Sequence, residues 1–456
     1  MSKRILLIQL PTSHHGAGER VYPLGLSRLA RLIPDTHVVQ GLDMNLFPDP
    51  WPILKEKMEV FVPDSVALSF RNIDPLASHH ISYISSLKTA AVLVRKVVPS
   101  CRIIAGGPAF SLFAGRLMEE IPEIDAGIVG EAEAIFPAVV CGGEGTGALP
   151  GLIRRRGGRI VVNAPGKAIA LELLPDIETE LFPPVDYLNG NKYVAAMGIE
   201  GKRGCDLTCG YCRYPFLSGG RIRLRPPEKI VTEMEMLHRE HGAQWFHFTD
   251  AVVNRPSDHF EAVCREICRR KLSVKWTGFF REDAFTPSQA ALAARAGLVA
   301  IYFSADALTE HGLKVLKKQL TLDHLTGAAR VSAQSGILTM HHFLVNLPGE
   351  GPTQHEEAKE MLDRILDIHA PAGNLGAVIF NTLRLYPEAS LTRELLRNGL
   401  LDPSADLLYP TYYNPPKTAH LLHELDAHCH AAGVFSRLSM GSQDPSEQGR
   451  KGVRLR

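Results

Sequence analysis

The feature that most constrains the fold is an alternation of short apolar runs with helical stretches, met twice along the 456 residues. From residue 1 to 140 the runs are "RILLIQL", "THVVQGL", "DSVALSF", "RIIAGGP" and "DAGIVGE", with segments such as "YPLGLSRLARLI" and "SSLKTAAVLVRKVV" between them. Strands separated by helices of about 10–15 residues predict a parallel sheet with right-handed crossovers, whose ligands sit beyond the carboxyl ends of the strands. Those ends carry "PTSHHGAG" (11–18), "SFRNID" (69–74) and "GGPAF" (106–110). After residue 195 the alternation resumes six times, in "YVAAMGIEG", "QWFHFTD", "VKWTGFF", "VAIYFSA", "LTMHHFLVNLPG" and "AVIFNTLRLYP". That series predicts a partial or full (β/α) barrel with its chemistry at the C-terminal rim. The expectation is an α/β chain in four parts: a Rossmann-like domain over 1–140, a linker with the hairpin "IRRRGGRIVV" over 141–190, a barrel over 191–390, and a helical, substrate-side extension over 391–456. The polar tail "GSQDPSEQGRKGVRLR" has the composition of a disordered segment.

Composition narrows the function classes. Lysine plus arginine is 50 against 49 acidic residues, so a net charge of +1 supplies no long-range pull on nucleic acid. The opening "MSKRILLIQLP" holds Gln9, stops at Pro11 and lacks a small-residue cleavage site, which fits a buried strand better than a signal peptide. No apolar window is long enough for a spanning helix, so the expected location is the cytoplasm. Eight cysteines are too few for a disulfide scaffold in so long a chain. In a reducing compartment a tight cluster points instead to metal or catalysis.

Such a cluster exists in "GCDLTCGYCRYP", where Cys205, Cys209 and Cys212 follow the first strand of the second series. A structural zinc wants four closed ligands, and neither a second CxxC nor a suitable histidine pair follows; His238 and His241 are spaced i, i+3 with no partnering cysteine. Three thiolates around an iron-sulfur cluster leave one iron open, which is useful where a substrate must bind metal. Cys264 and Cys268 in "AVCREICRR" read as two small apolar residues on a buried helix face.

CxxxCxxC with an aromatic residue, Tyr211, before the last cysteine resembles the radical S-adenosylmethionine (SAM) family. The resemblance implies that Cys205, Cys209 and Cys212 bind a [4Fe-4S] cluster whose fourth iron chelates SAM. By the same resemblance "HFTDAVVN" nominates Thr249 and Asp250 for the SAM amino group, although the family's Gly-Gly-Glu is absent. "FSADAL" nominates Ser304 and Asp306 for the ribose, and "FLVNLPGEG" nominates Gly349 and Glu350 for the adenine side. Read without the family, "LPGEG" is an ordinary strand-to-helix turn.

A parallel-sheet domain ahead of such a barrel resembles the cobalamin-binding domain of the B12-dependent radical SAM group. Ser69 and the pair Gly106 and Gly107 match the small residues that make room there for the nucleotide tail. At the axial-ligand position the chain reads "SHHGAG", so His15 is the candidate cobalt ligand with Ser13 where the family has aspartate. A carboxylate that would hold such an imidazole is therefore missing. Arg71, two residues beyond Ser69, is placed against the lower face of the corrin, its alternative being an ion pair with Asp74. A dinucleotide-binding domain would need GxGxxG at the first turn, and "SHHGAGERV" does not provide it.

The resemblance implies a cobalamin-dependent methyltransferase moving a methyl group from SAM, via methylcobalamin, to a carbon or less readily a phosphorus of a small-molecule or peptide substrate. The group includes enzymes acting on indole carbons. Transfer proceeds with a 5′-deoxyadenosyl radical or by a polar route, which Arg71 favours. Tyr386, with Arg384, Tyr412 and Tyr413, is the substrate-side candidate, and a flavodoxin or ferredoxin is the implied electron donor. Two other readings stay open: a B12-dependent rearrangement or cyclisation without methylation, and a non-catalytic zinc or corrinoid-binding protein.

Overall fold

In the computed structural model, which describes residues 2–12, 20–75, 81–142, 146–189 and 195–438, the two alternating series fold into two sheets. The first comprises β1 (Arg4–Gln9), β2 (Val38–Asp43), β3 (Ser65–Ser69), β4 (Arg102–Gly106), β5 (Ala126–Ile128), β6 (Leu152–Arg156) and β7 (Arg159–Val162), in the order β2-β1-β3-β4-β5-β6-β7. The first five strands run parallel, and the β6–β7 hairpin adds antiparallel to β5. The hairpin expected in the linker thus extends the front sheet. Its inner residues Leu152 and Ile153 are buried, and pairing with β5 gives that short strand a second neighbour.

β1 shows why the sheet forms. Ile5 and Leu7 point to one face, Leu6 and Ile8 to the other, and all four are fully buried. A strand apolar on both faces can only lie inside a helix-covered parallel sheet. The strand order reverses at β1, so the crevice between the ends of β1 and β3 is the topological switch point, where ligands of such sheets bind.

The second sheet opens with β8 (Met197–Ile199), followed by a small ribbon of β9 (Lys202–Arg203) and β10 (Arg223–Leu224). Then come β11 (Trp245–Phe248), β12 (Lys275–Phe280), β13 (Leu298–Asp306), β14 (Leu338–Val345) and β15 (Leu375–Arg384). These six long-range partners pair in parallel as β15-β14-β13-β12-β11-β8. β15 continues outward to the antiparallel β16 (Tyr412–Tyr413) and pairs with β17 (Ser436–Leu438). The result is a curled, open half-barrel. Its inner face below the rim is filled by Tyr302, Met340, Ala377 and Ile379, with Phe279 packed against them. His247 joins this layer, with Nδ1 2.8 Å from Thr277 Oγ1 and its pKa pushed down to about 4 by burial, so it is a neutral packing residue.

Among the described residues no helix is long and apolar enough to cross a membrane. His15 and the tail from 441 fall outside the described residues.

Candidate active site

The cysteine loop leaves the barrel from the β9–β10 ribbon, and its shape is set by backbone contacts. Gly204 has φ +85°, and a Cβ there would stand 2.0 Å from the carbonyl oxygen of Arg221, so no other residue fits without moving the ribbon. The Cys205 amide donates to the Gly219 carbonyl at 3.1 Å, Gly210 to Leu316 at 2.8 Å, and Cys212 to Cys209 at 3.2 Å. All three cysteines are free thiols and partly exposed. Burial raises the Cys209 pKa, with Lys318 pulling it down, and burial pushes Cys212 up to about 11; each also feels the charge of Cys205. Among the described residues no three His, Cys, Asp or Glu side chains converge as ligands to one metal ion. Around a [4Fe-4S] cluster each thiolate binds a different iron, so the three need not converge on one point.

Behind the loop stands a buried charge network. Lys318, 6% exposed, donates to Asp306 Oδ2 and to the Ser304 carbonyl, each at 2.6 Å. The Tyr211 hydroxyl donates to the same Asp306 oxygen. The aromatic residue of the cysteine motif is therefore pinned to the end of β13. Beyond β12 lies Glu282, 4% exposed, with no side-chain hydrogen-bond partner for either carboxyl oxygen among the described residues. Burial pushes its pKa up to about 7, opposed by Lys318. Such a carboxyl is costly unless something absent from the bare protein meets it.

The nominated SAM contacts divide. Thr249 is exposed and Ser304 half-exposed at the barrel mouth, beside the half-exposed Phe279, Leu344 and Asn381. Asp250 is turned inward: its Oδ1 accepts the amides of Gly201 (2.8 Å) and Lys202 (3.1 Å), and Lys202 Nζ lies 3.7 Å from Oδ2. Asp250 thus braces the start of the cysteine loop. Asp306 likewise spends one oxygen on Lys318 and Tyr211. Glu350 closes its own turn, accepting from the Leu347 amide at 2.7 Å and from Thr309 Oγ1 at 3.0 Å. Gly349, φ +83°, has no room for a side chain against His311. For Gly349 and Glu350 local turn geometry is a sufficient explanation.

On the front sheet, Gln9, Ser69 and Gly106 are neighbours in register at the carboxyl ends of β1, β3 and β4. A Cβ on Gly106 would meet nothing nearer than the Ile128 carbonyl at 3.9 Å, leaving open space beside it. Gly107, φ +99°, is different: a Cβ would stand 2.7 Å from the Phe70 carbonyl, so backbone packing alone demands glycine. Burial raises the pKa of Asp43, and Arg71, emerging beyond β3, is close enough for its charge to oppose that rise. Asp74 forms an ion pair with Arg384 from the end of β15, Nε to Oδ2 2.9 Å, both side chains almost fully buried.

That pair is one of several ties between the front domain and the rest of the chain. Arg384 also donates to the Leu385 and Leu407 carbonyls, and its guanidinium lies 4.9 Å from the Tyr386 ring centroid. Tyr386 packs near Phe113 of the front domain and feels the charge of Cys212, so it stands between the cysteine loop and the front sheet. Another tie joins the ribbon to the exit of β5: Arg203 pairs with Glu133 at 2.7 Å and Glu131 at 3.4 Å, and Arg223 pairs with Glu131. Sequence reasoning missed Gln9, Glu282, Lys318 and this network, because a lone polar residue carries no motif.

Residues 199–362 match the radical SAM superfamily. An uncharacterized methyltransferase of Pyrococcus horikoshii is 26% identical over 416 residues, 87% of this chain and 84% of that protein. The anaerobic magnesium-protoporphyrin IX monomethyl ester cyclase of Rubrivivax gelatinosus is 28% identical over 290 residues, 59% of this chain and 50% of that protein. The structure of the radical SAM methyltransferase TsrM from Kitasatospora setae, with cobalamin and a [4Fe-4S] cluster bound, superposes with a TM-score of 0.77 at 22% identity, covering 94% of this chain and 85% of that one. The same enzyme is also known with tryptophan substrate and a SAM analogue bound. At that identity the likeness is one of fold.

Proposed function

We propose, for a chain that carries a radical SAM domain within the fold of a cobalamin-bound radical SAM methyltransferase, that it moves a methyl group from SAM, by way of cobalamin, to a carbon of a small-molecule or peptide substrate. The observation that carries this reading is the facing of the two half-sites: the cysteine loop and the front crevice are held together by Arg203 and Arg223 against Glu131 and Glu133, and by Arg384 against Asp74.

Cys205, Cys209 and Cys212 would hold the cluster. Ser69 and the open space at Gly106 would receive the corrinoid. When bound, the cluster supplies an iron able to chelate SAM, and the cobalt a carrier for the methyl group. The rest is the work of this chain's side chains. Lys318 and Asp306 hold Tyr211, and through it the cysteine loop, in one position. Asp250 fixes the loop's first turn. Tyr386 and the half-buried Tyr412 give the junction an aromatic wall, which with the tryptophan-bound relative supports an aromatic carbon as the acceptor.

In this reading Arg71, emerging beyond β3, would stand beside the bound corrinoid. Its permanently protonated guanidinium would supply a fixed positive charge there, which would favour departure of the methyl group as a cation. Arg71→Ala should change the cobalt coordination read by electron paramagnetic resonance and slow methyl transfer; if neither moves, Arg71 has no such role. The test of the whole reading is anaerobic reconstitution with cluster and cobalamin, then methyl-labelled SAM with candidate substrates, tryptophan among them. Methylated product with S-adenosylhomocysteine supports it, and the yield of 5′-deoxyadenosine separates the radical from the polar route. A flavodoxin or ferredoxin is the proposed reductant.

A second reading, non-methylating cyclisation, rests on the similarity to the cyclase, of which this chain spans half the length. 5′-Deoxyadenosine without methylated product would favour it.

A further inference from the structure

Gln9 closes β1 at the switch point of the front sheet. It lies on the same sheet face as Ile5 and Leu7, and its register partners are Asp43 on β2 and Ser69 on β3. The side chain is 5% exposed. Ser69 Oγ donates to Gln9 Oε1 at 3.0 Å, which fixes the plane of the amide. The other half of that amide, Nε2, is buried and has no acceptor among the described residues. Two N–H donors are thus held at the strand end, beside the space left open at Gly106.

A buried amide nitrogen without a partner is costly, and hydrophobic residues of similar size would fill the position at less cost. Packing does not explain glutamine here. We infer that Gln9 Nε2 binds an acceptor oxygen of the ligand that fills this crevice, acting as a positioning residue that Ser69 holds in register. The inference rests on the corrinoid reading of the front domain. In a corrinoid the matching acceptors are the amide carbonyls around the ring and the phosphate of the nucleotide tail, and both present the same chemistry to an N–H donor.

The test is titration of the anaerobic, cluster-reconstituted full chain with hydroxocobalamin and with cobinamide, which lacks the nucleotide tail, followed by absorbance. Wild type, Gln9→Met and Gln9→Glu are compared. Met keeps the volume and removes the donors; Glu keeps the shape and the acceptor for Ser69 but replaces the donors with an oxygen. Both variants should bind hydroxocobalamin about five- to a hundredfold more weakly, the range expected for one lost buried hydrogen bond. The corrinoid-free Gln9→Met protein should melt at or above the wild-type temperature, which a merely structural glutamine would not allow. Weakening towards cobalamin alone assigns the contact to the nucleotide tail, and equal weakening towards cobinamide assigns it to the ring. Affinities within twofold of wild type for both ligands in either folded variant overturn the inference. Wild type that binds neither ligand overturns the corrinoid reading itself.

Discussion

Replacing Asp74 by Asn removes one charge from a buried pair without changing its shape. Arg384 then keeps its hydrogen bonds to the Leu385 and Leu407 carbonyls but loses the only counter-ion that its ion pairing shows among the described residues. With side chains 5% and 0% exposed, water cannot replace it. Charge centres about 4 Å apart at an effective dielectric of about 20 attract by about 4 kcal/mol. The asparagine oxygen still accepts a hydrogen bond worth about 1 kcal/mol, so the expected loss is about 3 kcal/mol, at the lower edge of what breaking a buried pair costs. The assay is urea unfolding followed by tryptophan fluorescence, with the midpoint shift converted at a common slope. Asp74→Leu combined with Arg384→Met should recover most of the loss, because a well-packed apolar pair has no stranded charge. Because the pair spans front domain and barrel, Asp74→Asn should also weaken cobalamin binding. An Asp74→Asn protein within about 0.5 kcal/mol of wild type would refute the buried tie and, with it, the close apposition of crevice and rim.

Other outcomes follow from single residues. Alanine at Cys205, Cys209 or Cys212 should each abolish the cluster, read as loss of iron, acid-labile sulfide and the broad visible absorbance after reconstitution. Gly204→Ala should cost about 2–4 kcal/mol or prevent cluster assembly, since both its φ of +85° and the Arg221 carbonyl exclude a Cβ. Glu282, raised from 4.5 to about 7, destabilises the bare fold once it ionises: the penalty is absent below about pH 4.5, grows as pH rises and is complete above about pH 7, where it reaches about 3 kcal/mol. Glu282→Gln should therefore be more stable than wild type at pH 8 and indistinguishable near pH 4, measured by urea titration of the cluster-free protein.

Strand positions were legible because burial on both faces leaves near-continuous apolar runs such as "ILLI" and "VALS", and the cysteine loop because its spacing is a motif. The order β2-β1-β3-β4-β5 was not, since parallel strands look alike whichever neighbour they take. Nor was the partner of the hairpin, which reads in sequence as part of a linker over 141–190. Asp74 pairs with Arg384, 310 residues away, and no local pattern reports such a pair. Asp250 and Glu350 are nominated by the family resemblance alone, and in the structure both accept hydrogen bonds from backbone amides. The informative residues that escaped notice, Gln9 and Glu282, stand out only once burial and missing partners can be seen.

The central claim is tested most directly without knowing the substrate. The protein is reconstituted anaerobically with cluster and cobalamin, reduced, and given SAM labelled in its methyl group. The account predicts label on the protein-bound corrinoid together with an equal amount of S-adenosylhomocysteine, and loss of both in Cys209→Ala. A corrinoid that stays unlabelled, with 5′-deoxyadenosine as the only product of SAM, would contradict it.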